Sequence, residues 1–256
     1  MKFIILGCGS SMGVPRSDGF FGKCDSTNKK NYRTRCSALL KTKSEIALID
    51  TSPDLRQQLL NNKIKTIDKV FYSHFHADQT HGINDLRVFC ITKKKNIPVY
   101  ADDLTKKYLM NSFKYCFVSE SMEYPAILKL NSVNSNLFVF DGEKKVKIIP
   151  IKVKHGKINS ICYIISKKLA YISDVSYINK NDYKHFKKLK YLIIDCLRLE
   201  SHPSHLNLKS CLNLINELKP NRAILTNLHS DLDYASLKKI LPKNVVPAFD
   251  GLTINL

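Results

Sequence analysis

Short apolar runs alternate with polar turns along the chain, and their spacing predicts both strands and helices. Runs of four to six residues that are rich in Val, Ile and Leu are typical of buried strands. Longer segments with an apolar residue at every third or fourth position are typical of amphipathic helices. Strands are predicted at Lys2–Leu6, Ser37–Thr42, Glu45–Asp50, Val70–Ser73, Pro98–Ala101, Val146–Ile151, Ile161–Ser166, Leu169–Ser173, Tyr191–Asp195, Ala223–Thr226 and Val245–Phe249. Helices are predicted near Pro53–Asn62, Ile83–Phe89, Leu104–Tyr115, Lys184–Leu189, Leu208–Leu218 and Tyr234–Ile240.

The order of these elements predicts the class of fold. Strands and helices alternate from one end of the chain to the other, and many of the strands are short, apolar and β-branched. Such strands are typical of sheets that are covered by helices. The 256 residues contain no low-complexity segment, repeat or long linker. We therefore predict one α/β domain that spans residues 1–256.

Composition is that of a folded protein outside the membrane. Hydrophobic residues make up 44% of the chain and charged residues 25%, which is typical of globular domains. The apolar runs, such as Phe3–Leu6, are too short to span a bilayer, and the first residues lack the features of a signal peptide. We therefore predict a cytoplasmic protein with reduced thiols, since the eight cysteines include no Cys-x-x-Cys pair.

The charge balance leaves two interpretations open. Lysine and arginine number 41 against 22 acidic residues, so the formal net charge is +19. A polyanion such as a nucleic acid is one partner that this charge would suit. The lysines are spread along the chain, however, which favours a lysine-rich surface composition. A small phosphorylated substrate is compatible with both interpretations.

The segment Ser73–Gly82 carries the strongest chemical signal in the sequence. It reads SHFHADQTHG and follows the apolar strand predicted at Val70–Ser73. His74 and His76 are two positions apart, so both imidazoles can point to the same side of an extended chain. Asp78 adds a carboxylate two residues later. Two imidazoles and a carboxylate suit Zn, Mn or Fe and leave coordination positions open.

With this motif the chain resembles the metallo-β-lactamase superfamily, whose signature is His-x-His-x-Asp after a strand. Further segments resemble the phosphoribosyl cyclic phosphodiesterase branch, which is related to ribonuclease Z. They are Gly7–Pro15, Cys24-Asp25, Asn31–Ser37, Ile49–Arg56, His81–Arg87 and Leu225–Tyr234. The resemblance covers nearly the whole chain. It implies a four-layer αββα sandwich with metals at the edge where strand ends converge.

The resemblance also implies two divalent metal ions, Zn or Mn, and their ligands. Metal one would be held by His74, His76 and His155. Metal two would be held by Asp78 and His229, with Asp174 bridging both ions. His155, Asp174 and His229 each lie at or just after a predicted strand, which fits this arrangement.

Asp50, Gln79 and His81 are predicted to lie behind the metal ligands, and Gln79 departs from the pattern of the family. Many relatives have histidine where this chain has Gln79, and an amide oxygen is a poorer ligand for a borderline metal. The second site is therefore predicted to be weaker, or to be assisted by His81. Asp50 follows a strand and is predicted either to support the ligands from behind or to belong to a helix start.

The remaining site residues are predicted by resemblance and by side-chain chemistry. His205 resembles the histidine that precedes the last helix of the ribonuclease, and we predict it as the general acid; with Asp78 it forms the predicted catalytic pair. Guanidinium groups pair well with phosphate, so substrate contacts or structural ion pairs are predicted for Arg33, Arg35 and Arg87.

Together these features predict hydrolysis of a small cyclic phosphodiester, such as a phosphoribosyl 1,2-cyclic phosphate, by a metal-bound hydroxide. The alternatives are a ribonuclease that processes tRNA 3′ ends, a thioester or lactam hydrolase, and a nucleic-acid-binding module with little catalysis. Only 19 residues separate His155 from Asp174, which leaves no room there for the tRNA-gripping arm of the bacterial ribonuclease. A homodimer is compatible with the resemblance, but the sequence identifies no interface.

Overall fold

The computed structural model describes residues 1–119, 121–133 and 137–256. Strands that occur in these ranges are β1 (Lys2–Gly7), β2 (Ser37–Lys41), β3 (Ile46–Ile49), β4 (Lys69–Phe71), β5 (Ile97–Ala101), β6 (Leu128–Ser132), β7 (Phe138–Asp141), β8 (Lys144–His155), β9 (Ile158–Ile165), β10 (Leu169–Ile172), β11 (Tyr191–Asp195), β12 (Arg222–Thr226), β13 (Val245–Pro247) and β14 (Leu252–Asn255). Helices are α1 (Leu55–Asn61), α2 (Ala77–Thr80), α3 (Arg87–Lys93), α4 (Asp103–Ser112), α5 (Lys114–Phe117), α6 (Tyr183–Phe186), α7 (Leu208–Leu218) and α8 (Tyr234–Ile240).

The described strands form two sheets of seven. The first has the order β14-β1-β2-β3-β4-β5-β6, and the second has the order β13-β12-β11-β10-β9-β8-β7. Strands β3 to β6 are parallel, as are β10 to β13, while the remaining pairs are antiparallel. In each parallel set the carboxyl ends of the strands lie at one edge, where loops can present side chains side by side.

Three apolar clusters define the layers. The middle cluster joins the facing sides of both sheets and includes Phe3 and Phe71 from the first sheet with Tyr163 and Tyr171 from the second. A second cluster packs α1, α3, α4 and α5 on the outside of the first sheet. A third packs α6, α7 and α8 on the outside of the second sheet. The predicted αββα sandwich is therefore confirmed.

Helix α7 illustrates how the sequence specifies an outer layer. Its buried residues recur every three or four positions, at Leu208, Cys211, Leu214, Ile215 and Leu218, so one apolar stripe faces the second sheet. Asn207 caps its start, because the side-chain oxygen accepts the Ser210 N–H at 2.9 Å. At 11 residues it is longer than the other helices of the described ranges. No helix in these ranges, α7 included, is long and apolar enough to cross a bilayer.

Candidate metal centre

The candidate site lies where strand ends from both sheets meet. His74, His76 and Asp78 follow β4 of the first sheet, and His155 is the last residue of β8 in the second. Asp174 follows β10 two residues after its end. These side chains thus come from separate strands whose backbone pairing fixes their positions.

The three predicted histidine ligands converge on one point. Nε2 of His74 lies 3.0 Å from Nδ1 of His76, which lies 3.3 Å from Nε2 of His155. Ligands about 2.0–2.1 Å from a tetrahedral zinc ion are separated by about 3.3 Å. The spacing of the three nitrogen atoms therefore fits a shared divalent ion.

The opposite nitrogen atoms of the rings are held by the protein. Nδ1 of His155 donates to the carbonyl oxygen of Ser204 at 2.8 Å, which leaves Nε2 with its lone pair free. Nδ1 of His74 lies 3.0 Å from Ser73 Oγ. Such partners fix the tautomer and orientation of a metal-binding imidazole.

Burial keeps these imidazoles neutral, as metal binding requires. It lowers the pKa of His74 to about 3, against the opposing effect of Asp174. Burial also lowers the pKa of His76 and of His155, and the neighbouring histidines add to this effect. The donor set of His74, His76 and His155, its spacing and its protonation state all fit one divalent ion, and ligand atoms of Asp174 and His205 lie within 4.8 Å of that of His155.

Asp50 supports the histidine loop from behind. Its side chain is fully buried, and Oδ1 accepts the Ser73 N–H at 2.7 Å. The backbone of Asp50 has a φ of 62°, a left-handed conformation that costs energy for a non-glycine residue. Burial raises the pKa of this carboxyl group well above its usual range. The contact positions the peptide that precedes His74.

The short helix α2 is clamped to the loop that follows β3. The Thr51 N–H donates to the Gln79 carbonyl at 2.8 Å, and the Gly82 N–H donates back to the Thr51 carbonyl at 2.9 Å. A Cβ atom on Gly82 would lie 2.0 Å from the Ser52 carbonyl oxygen. Only glycine therefore permits this approach, which fixes Asp78 and Gln79 relative to the site.

His205 borders the site and is paired with a buried carboxylate. Its Nδ1 donates to Asp195 Oδ2 at 2.7 Å, and its ring lies 4.6 Å from that of His155. Burial alone would lower the pKa of His205, but Asp195, Asp174 and Asp78 raise it to about 9. Burial raises the pKa of Asp195 to about 7. At neutral pH the proton of the pair therefore lies on the imidazole.

His229 pairs with a neighbouring carboxylate and belongs to neither group of described side chains that could share an ion. Its Nδ1 is 3.0 Å from Asp231 Oδ1, and its side chain is 29% exposed. The groups of described residues that could share an ion are His74, His76 and His155, and His155, Asp174 and His205. The strand-end position next to Asp174 belongs instead to Asn227, which sequence reasoning did not single out.

Asp195 was also missed, although it ends a predicted strand as the other site carboxylates do. The pattern YLIID of β11 places one aspartate after four residues that pack into the core. A buried acidic side chain at a strand end indicates that a second polar or charged side chain lies close by, because a buried charge must be paired or hydrogen-bonded.

The other predicted site residues lie around the centre. His81 is exposed and its Nε2 lies 2.9 Å from the Tyr108 hydroxyl. Arg33 is 1% exposed and donates to the Leu232 and His229 carbonyls, so its guanidinium is used within the protein and is not free for substrate. Of the two roles predicted for Arg33, substrate contact and structural pairing, these contacts are of the structural kind.

Arg35 and Arg87 differ in their surroundings. Arg35 forms a bidentate pair with Asp54, at 2.7 and 2.5 Å, and the charge of Asp78 contributes to its raised pKa. Its guanidinium is therefore paired within the protein. Arg87 lines a separate cavity on α1 and α3 together with Arg56 and Leu60.

Comparisons with known proteins agree with this geometry. The profile of the beta-lactamase superfamily domain matches residues 47–227, more than half of the chain. The chain therefore belongs to the β-lactamase superfamily, a class of metal-dependent hydrolases. Within that class it groups with PhnP and ribonuclease Z relatives, which confirms the predicted branch.

Three relatives illustrate the extent of the similarity. A crystal structure of a diphosphatase from the PhnP family is 30% identical, has a TM-score of 0.87 and covers 100% of this chain and 97% of that chain. An octanoyltransferase of Porphyromonas gingivalis is 30% identical over 98% of this chain and 51% of its own length. A ribonuclease Z of Prochlorococcus marinus is 26% identical over 50% of this chain and 42% of its own length. The chain thus spans about half the length of the curated relatives that it matches.

Proposed function

We propose that the protein is a metal-dependent phosphodiesterase that opens a small cyclic phosphodiester. The observation that carries this proposal is the convergence of His74, His76 and His155 on one point, next to a second group in which His155 lies close to Asp174 and His205. A site of this kind unites a place for a Lewis-acidic ion with a proton donor. Similarity to a PhnP-family diphosphatase, a protein whose substrates carry phosphorus, supports the substrate class.

The residues divide the chemistry between them. A divalent ion, Zn or Mn, held by His74, His76 and His155 would supply a nucleophile by lowering the pKa of a water molecule toward neutrality. His205 holds its proton on the ring because Asp195 accepts from Nδ1. It can therefore donate from Nε2 to the alkoxide that leaves when the ring of the cyclic ester opens. Asp50 and Ser204 keep the ligand rings in place.

Metal-dependent turnover on a substrate panel tests this proposal. The panel contains a ribosyl 1,2-cyclic phosphate, 2′,3′-cyclic nucleotides and a tRNA precursor, with Zn or Mn restored to the apoprotein. We expect turnover of the small cyclic esters and its loss on chelation. Cleavage of the precursor alone would contradict the proposal.

The role of His205 has its own test. We expect His205→Ala to retain its metal content and to lose about 10²- to 10⁴-fold in turnover of an alkyl phosphodiester. A nitrophenyl ester, whose leaving group needs no protonation, should be affected much less. His202→Ala is the matched control, because its ring lies 5.0 Å from that of His205 but it is not paired with Asp195. Equal losses on both esters would refute the acid role.

Processing of tRNA is the second candidate, because ribonuclease Z relatives match and the net charge is +19. Against it, β8 and β9 are joined by residues 156 and 157 alone, so no arm lies between His155 and Asp174. Binding of the precursor that weakens steeply with salt, together with cleavage at its 3′ end, would favour this candidate.

A further inference from the structure

The region between Asp78 and Asp174 is occupied by an amide. Nε2 of Gln79 donates to Asp78 Oδ2 at 3.0 Å and lies 3.3 Å from Asp174 Oδ2. Gln79 is fully buried, and its Oε1 has no hydrogen-bond partner among the described residues. A flipped amide would set that oxygen against two carboxylates, so the nitrogen atom faces them.

A second amide lies on the other oxygen of Asp174. Asn227 is 2% exposed and has a φ of 61°. Its Nδ2 lies 3.4 Å from Asp174 Oδ1 and 3.2 Å from Asp195 Oδ1. Both carboxylate oxygens of Asp174 therefore receive amide N–H groups.

Such a pair of amides does not fit a second metal ion. An amide nitrogen carries hydrogen atoms and has no lone pair to offer, and amide oxygens are weak ligands for zinc. Nδ1 of His229, the expected histidine ligand, lies 3.0 Å from Asp231 Oδ1, and among the described residues His229 does not join Asp78 and Asp174 in a group whose ligand atoms lie within 4.8 Å of one another. What remains for a second ion is the Asp78 carboxylate and a bridging oxygen, fewer ligands than the four of an ordinary zinc site.

We propose that each chain binds a single divalent ion, at His74, His76 and His155, and that Gln79 and Asn227 fill the place of a second ion with hydrogen bonds. The amides thus neutralise buried carboxylates in the way that an ion would, but without a vacant coordination position. This inference rests on the metal centre of the proposed function.

Metal stoichiometry tests the inference directly. Apoprotein is loaded with Zn or with Mn, dialysed, and its metal content is measured by mass spectrometry alongside calorimetric titration. We expect one ion per chain. Two ions per chain would overturn this inference and leave the proposed function intact, whereas no bound ion would overturn the metal centre as well.

Restoring imidazoles provides the converse test. We expect Gln79→His/Asn227→His to bind two ions per chain, because two nitrogen ligands then face Asp78 and Asp174. The control Gln57→His/Asn216→His makes the same two changes at exposed helix positions and should stay at one ion. A double variant that still binds one ion would refute the role of the amides.

A spectroscopic measurement on the unaltered protein covers the case in which the double variant does not fold. Electron paramagnetic resonance of the Mn-loaded protein should show isolated ions, whereas the spectrum of a coupled pair would overturn the inference.

Discussion

The site has two sides that differ only in the chemistry of their side chains. The histidine side consists of His74, His76 and His155, and the amide side consists of Gln79 and Asn227. On the histidine side His155 lies close to Asp174; on the amide side Gln79, from α2, and Asn227, which follows β12, both contact it. The histidine side presents lone pairs and the amide side presents N–H groups. If the proposed single ion is correct, a nearby carboxylate is not enough to bind a metal ion, and the direction of the hydrogen atoms on the neighbouring side chains decides the outcome.

The largest expected effect is on metal affinity, when a histidine of the histidine side is replaced by an amide side chain. We expect His155→Gln to lower the affinity for Zn by roughly 100-fold or more, since loss of an outer partner alone costs about 10- to 100-fold. Competition with a chelator measures this affinity. His185→Gln, on α6, is the control and should bind as the unaltered protein does. Unchanged affinity in His155→Gln would break the distinction between the two sides.

Asp195 contacts Asn227 of the amide side and His205, whose ring lies 4.6 Å from that of His155 on the histidine side. We expect Asp195→Asn to keep its ion and to lose about 10- to 100-fold in turnover. His205 must be protonated to act as an acid, so activity falls as pH rises through its pKa. Asp195 helps to raise that pKa to about 9, and its removal should shift the alkaline limb of the pH profile to lower pH.

Asp231→Asn is the control for this variant, because Asp231 pairs with His229 outside the site at 3.0 Å. Its profile should match that of the unaltered protein. A profile of Asp195→Asn that falls in turnover without moving along the pH axis would assign Asp195 a structural role only.

A smaller effect is expected from the clamp that holds the amide side. In Gly82→Ala the new Cβ would lie 2.0 Å from the Ser52 carbonyl, so α2 must shift, at a cost of about 1–3 kcal/mol in the free energy of unfolding. Urea denaturation measures this loss. The metal content should stay at one ion, because the histidine side does not depend on the clamp. Loss of the ion would show that the two sides are mechanically coupled.

The central strands and the outer helices could be predicted from sequence, whereas of the four edge strands only β13 could. The bounds predicted for β11, α7 and α8 match those of the structure. The three unpredicted strands, β6, β7 and β14, each lie at the edge of a described sheet. An edge strand has one paired neighbour and partial exposure, so its apolar pattern is weak.

The site could be predicted where ligands are close in sequence, and less well where they are distant. His74, His76 and Asp78 fall within one motif, and strand ends placed His155 and Asp174. His229 and Asn227 are only two positions apart, and the local pattern does not reveal which of them turns toward Asp174. That choice depends on contacts with β10 and β11, which sequence spacing does not encode.

The ligands of the histidine side come from both sheets: His74 and His76 follow β4, and His155 ends β8. An ion held there is a crosslink between two layers that otherwise meet through an apolar interface. Unfolding must release the ion, so the melting temperature should rise with the free metal concentration. At a concentration of 100 times Kd, the free energy of unfolding should increase by about 2.7 kcal/mol. The cellular supply of metal would then set the lifetime of the folded protein as well as its activity.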